Sequence, residues 1–142
     1  MQDERLRESL GNALVRLFRL VNREHGRALK PCEVSTEQAH ILSVLWIEGA
    51  MTIGRLQRAI ALSSPTLTGA LDRMETQGLV RRVESPEDRR ASVVEPRVPA
   101  RRRAKIEATL DETEERCFSA LTSNERKELL RLLDKCIARL DA

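Results

Sequence analysis

A chain of 142 residues is long enough for one domain with its own core, folding removing roughly 70% of the unfolded chain's surface. Only Phe18, Phe118 and Trp46 are aromatic, so a hydrophobic share of 41% must be met by Leu, Ile, Val and Ala, which favours packed helices over a sheet sandwich. The net charge of +3 is a weak hint as a total, and Cys32, Cys117 and Cys136 form no zinc-type or paired spacing, which leaves reduced thiols, no metal and no cofactor as the expectation.

The first twenty residues are charged throughout, with no continuous apolar run, so neither a signal peptide nor a membrane span is expected and the chain is placed in the cytoplasm. Leu6, Leu10, Leu14, Leu17 and Val21 recur at steps of four, four, three and four, the stripe of one amphipathic helix that Gly26 and Pro31 then interrupt. A second helix opens at Ser35, where Ser35 and Gln38 form a capping box, and its inner face is Ile41, Leu42, Leu45 and Trp46 up to Gly49. Thr52 caps a third helix with Ile53, Leu56 and Ile60 inside.

After a turn of about three residues, Leu67, Ala70, Leu71 and Met74 mark a fourth helix closed by Gly78. Its cap is open between two residues: Pro65 at the first helical position selects Ser64, a Leu62 to Leu67 staple selects Ser63. The segments "LVRRVE" and "ASVVE", joined by the turn-forming "SPEDRR", read as one antiparallel hairpin that must lean on the helices. Two further helices carry Ile106, Leu110, Cys117 and Leu121, then Leu129, Leu130, Leu133, Ile137 and Leu140, with Thr122 and Glu125 as a second capping box.

The third and fourth helices have the layout of a helix-turn-helix, the second of them showing small polar groups at the end that enters a major groove. Opposite its apolar face lie Ser63, Ser64, Thr66, Thr68, Gly69, Asp72 and Arg73, next to Pro65. Arg73 has the reach for a phosphate or a guanine. The hairpin that follows turns the motif into a winged one, with Arg89 and Arg90 at the tip and Arg81 at its base, within a local concentration of arginines that continues through Arg97 to Arg103.

The run "LSSPTLTGALDRMETQGLVRRVESPEDRRASVV", preceded by "STEQAHILSVLWIEGAMTIGRLQ", resembles the winged helix-turn-helix core of the MarR family, the multiple antibiotic resistance regulators. The resemblance implies a mainly helical fold with a small β-hairpin wing. Residues 1–34 and 99–142 would supply dimerisation helices, through Leu6, Leu10, Leu14, Leu17, Leu129, Leu133, Ile137 and Leu140. Residues 35–98 would form the DNA-binding lobe. It also implies a homodimer on a pseudo-palindromic double-stranded DNA operator, with Arg90 as the wing arginine and Asp88 as the acid that orients it. The chain departs from the family pattern at "EPRVPARRR", where Pro96 and Pro99 leave the start of the next helix open and Arg101 to Arg103 are candidates for added phosphate contacts.

Each functional reading has a plainer competitor. The arginines are otherwise a solvated basic surface, the hydroxyls caps, Asp88 a turn residue. His40 and Trp46, near where the family often has a ligand cavity, are otherwise core. The cysteines are small hydrophobes, Cys32 alone lying in a loop where a redox role is conceivable. Nothing resembles a catalytic constellation, His25 and His40 lacking a nucleophile or paired acid at useful spacing. The expectation is a transcriptional regulator, a repressor released by a small molecule. The alternatives are a regulator responding through Cys32 and a winged-helix protein-interaction module that does not bind DNA.

Overall fold

The structure is a computed structural model and describes residues 2–88 and 90–141. The expected single N-terminal helix is divided into α1 (Gln2–Arg7) and α2 (Leu10–Leu29). Ser9 takes extended dihedrals and its hydroxyl accepts the Asn12 N–H, so a new helix starts and Leu6 is left on the short first one. Gly26 does not end α2. The helix runs on until a 3-10 turn containing Pro31, and Glu33 in the left-handed region turns the chain away.

Helix α3 (Thr36–Glu48) carries both bonds of the capping box at Ser35 and stops at Gly49, whose φ of 89° suits a residue without Cβ. Ile41, Leu42 and Leu45 are buried. Trp46, expected inside with them, is only half-buried. The next two residues form a strand that periodicity could not flag, β1 (Met51–Thr52), pairing with Val94 and Val93. Thr52 then caps α4 (Ile53–Ile60), and α5 (Ser64–Thr76) follows with Ser63 as its cap, which settles the alternative in favour of the staple. Beyond α5, Gly78 at φ 73° lets the Leu79 N–H reach the Met74 carbonyl at 2.8 Å and its own N–H reach Glu75, a Schellman closure.

Strands β2 (Val80–Glu84) and β3 (Ser92–Pro96) pair antiparallel with Arg82 opposite Val94, and the sheet order is β1-β3-β2. The expected two-stranded hairpin is therefore part of a three-stranded sheet, β1 adding a strand beside β3. Helix α6 (Ala100–Cys117) begins directly after Pro99, and α7 (Ser123–Leu140) after the Thr122 capping box. Leu121, expected on the helix before, lies in the turn between them.

The fully buried residues Leu42, Leu45, Leu56, Leu67, Leu71, Met74, Leu79, Val94 and Ile106 join α3, α4, α5, the sheet and α6 into one core. The ends of the chain contribute little to it. Leu29 is the buried residue of α2, and α7 has none. Cys136, expected to pack, is exposed on α7.

Candidate nucleic-acid interface

The turn between α4 and α5 is Ala61, Leu62 and Ser63, with Ala61 in the left-handed region at φ 54°. It places α5 so that Leu67, Ala70, Leu71 and Met74 are buried while Ser64, Pro65, Thr66, Thr68, Asp72 and Arg73 face outward. Two of the hydroxyls are already engaged locally: Ser63 Oγ accepts the Thr66 N–H and donates to Thr66 Oγ1 at 2.7 Å. Those of Ser64 and Thr68 lie on the exposed face.

The wing tip is built by its own backbone. Ser85 N–H donates to the Ala91 carbonyl at 3.0 Å and Ala91 N–H to the Asp88 carbonyl at 3.1 Å. The Asp88 carboxylate accepts the backbone N–H of Arg90 at 2.9 Å. This corrects the expected orienting salt bridge: Asp88 forms an Asx turn that fixes the chain at Arg90 and does not hold its guanidinium. Arg81 and Arg90 are exposed, and Arg89 lies outside the described residues.

Arg82, one residue beyond the expected base contact Arg81, ties the wing to α5. Its Nε donates to Glu75 Oε2 at 3.0 Å, its backbone N–H to the same oxygen at 3.3 Å, and its Nη2 to Asp72. The hydrogen bonds to Asp72 and then Glu75 raise its pKa beyond the ordinary arginine value. In the sequence Asp72 reads as an outward-facing residue of α5 and Arg82 has no role of its own. The one trace in the sequence is that Asp72 and Glu75 are three apart and so share a helix face.

Of the arginines after the sheet, Arg102 and Arg103 are held by other parts of the protein, against the expectation of phosphate contacts. Arg102 Nη2 donates to the Cys32 carbonyl at 3.0 Å, and Arg103 pairs with Glu107 and stacks over Trp46 at 5.1 Å from the ring centre. Arg101 is exposed.

Behind α5, between α2, α3 and α6, an open groove of about 1390 Å³ is lined by Phe18, His25, His40, Trp46, Leu62 and Arg103 among others. His40 and Trp46 both line this groove, and neither is a fully buried core residue. His40 is solvent-exposed on the groove wall, and the partial desolvation it meets there lowers its pKa from the ordinary histidine value, the Glu37 carboxylate opposing. Cys32 is not in an accessible loop: it is buried in the 3-10 turn, its Sγ 3.8 Å from Thr109 Oγ1, which works against a peroxide-sensing role.

Residues 34–92 match the MarR family profile. Over 139 residues the chain is 30% identical to the HTH-type transcriptional regulator MgrA of Staphylococcus aureus, covering 96% of this chain and 92% of that protein. Its fold is similar to that of a cysteine-to-serine mutant of E. coli MarR crystallised with operator DNA (TM-score 0.77, 23% identity, 89% of this chain and 92% of that one). It is similar as well to Bordetella bronchiseptica BpsR, whose DNA binding is regulated by 6-hydroxynicotinic acid (TM-score 0.78, 23% identity, 91% and 93% covered).

Proposed function

The chain belongs to the MarR family of transcriptional regulators, and from that premise we propose that it acts as a homodimeric repressor on a pseudo-palindromic DNA operator. The carrying observation is the sidedness of α5: its apolar residues are buried and its small polar residues and Arg73 are exposed, at the end of a helix-turn-helix with a wing alongside. Ser64, Pro65, Thr66, Thr68 and Arg73 would enter the major groove, with Ser63 and Arg81 at its rim, while Arg90, on a tip whose backbone Asp88 fixes, enters the neighbouring minor groove. MarR with operator DNA is a structural neighbour of the same fold, which supports double-stranded DNA as the partner.

Dimerisation follows from what the fold leaves uncovered. Helix α7 has no buried residue, and the α2 stripe of Leu10, Leu14 and Leu17 is exposed, so a second copy is the natural cover. Two recognition helices must then lie about 34 Å apart to engage both half-sites. A small molecule held between His40 and Trp46 in the groove that separates α2 and α6 from α5 releases the operator if it prefers another spacing.

Binding to the DNA flanking the protein's own gene, measured by fluorescence anisotropy from low to moderate salt, tests the reading. Affinity should fall steeply with salt and exceed that for random DNA. Equal affinity for both DNAs at every salt concentration would refute sequence-specific regulation.

A further inference from the structure

We propose that Arg82 is a positioning residue for DNA binding, a latch that fixes the wing relative to the recognition helix through Asp72 and Glu75. This inference rests on the DNA-binding reading above.

Strand β2 is the outer strand of the sheet, so the backbone N–H groups along its free edge have no strand partner. The Arg82 N–H is one of these, and it goes to the Glu75 carboxylate of α5. The same side chain spreads its Nε and Nη2 over Glu75 and Asp72, two acids one turn apart on one helix face. Three donors of one residue thus hold two points on α5. The guanidinium is only 24% exposed, whereas the carboxylates are 47% and 61% exposed.

Exposed ion pairs contribute little to folding stability, so stability is a weak reason for this cluster. Geometry is a better one. A planar fork satisfied by two carboxylates fixes direction as well as distance, and the two elements it joins are those that must reach adjacent grooves together. Asp72 and Glu75 are also acids beside a face meant for phosphates, and Arg82 neutralises one charge of that pair. To contact DNA itself, Arg82 would have to release both carboxylates.

The latch and a direct DNA contact differ in salt dependence. Each lost phosphate contact flattens the slope of log K against log salt by about 0.9, whereas a lost positioning residue leaves the slope in place. The experiment measures operator and random-DNA binding of the full-length protein across salt concentrations, for wild type, Arg82→Ala, Arg82→Lys and the double variant Asp72→Asn with Glu75→Gln, with thermal melts to verify folding. The latch predicts that Arg82→Ala loses about tenfold or more of operator affinity at unchanged slope while random-DNA affinity is kept. Arg82→Lys, with the charge but no fork, should recover only part.

The double variant decides between latch and mere repulsion. It removes two negative charges, so if the acids only repel DNA it binds the operator more tightly, which overturns the proposal. If they hold the latch it loses operator affinity despite the gain in positive charge. A slope flattened by about 0.9 in Arg82→Ala, or unchanged operator affinity in both Arg82→Ala and the double variant, also overturns it. Wild-type protein that binds no DNA removes the regulatory reading and the latch together; wild-type binding with unaffected variants removes the latch alone.

Discussion

Arg90 and Arg82 show how far apart two arginines of one patch stand once the chain is folded. The first is exposed on a tip whose backbone Asp88 fixes, the second is locked by two carboxylates. Arg90→Ala is expected to weaken operator binding by about 1–3 kcal/mol and to flatten the salt slope, as measured by anisotropy titration. His40 makes a prediction of another kind. Its pKa is lowered in the folded state by partial desolvation at the groove wall, so the unfolded chain takes up a proton near pH 6.5 before the native protein does. Stability is unaffected above that pH and falls as pH drops below it toward the native pKa. Thermal melts between pH 8 and pH 5 should therefore show a decline that His40→Asn reduces. In the sequence Arg90 reads as a tip residue and His40 as either core or groove wall, and in the fold both side chains are exposed. The sequence misassigned Asp88, because spacing alone does not say whether a carboxylate meets a guanidinium or a backbone N–H two residues on.

Among the elements, helix ends were the most legible. The capping boxes at Ser35 and Thr122 and the left-handed Gly78 all stand where local residue chemistry put them, since each is decided within four residues. The strand β1 was not legible, because two residues have no period and pair only once β3 arrives from forty positions away. Nor was the left-handed Ala61 that sets the angle between α4 and α5. That conformation costs Ala about 1–2 kcal/mol, against about 0.5–1 kcal/mol for the extra freedom of an unfolded Gly. Ala61→Gly should thus stabilise the protein by roughly 0.5–1 kcal/mol, seen as a melting temperature a few degrees higher. A lower melting temperature would mean that the turn is strained for another reason.

The molecule as a whole buries its centre and leaves its ends apolar. Leu10 is 88% exposed, Phe18 66%, Ile137 54% and Leu140 84%, the apolar surface that the proposed dimer would cover. Ile137→Glu places a charge on that face, and burying an unpaired carboxylate costs several kcal/mol. It is expected to shift the protein to monomer in sedimentation equilibrium and to lose cooperative operator binding, while the melting of the DNA-binding lobe changes little. A dimer that survives the substitution would move the interface off α7.

By itself the sequence determined most of the helices, the caps at Ser35, Thr52 and Thr122, the helix-turn-helix and the family, since these depend on periodicity and on contacts a few residues apart. The tertiary structure alone decided which arginines are available to a partner. Arg102, Arg103 and Arg82 read in the sequence like Arg81 and Arg90, yet the fold commits them to Cys32, Trp46, Glu75 and Asp72, groups brought within reach only when distant elements pack. A guanidinium's role is set by the nearest acceptor in space, and composition and spacing do not contain that distance.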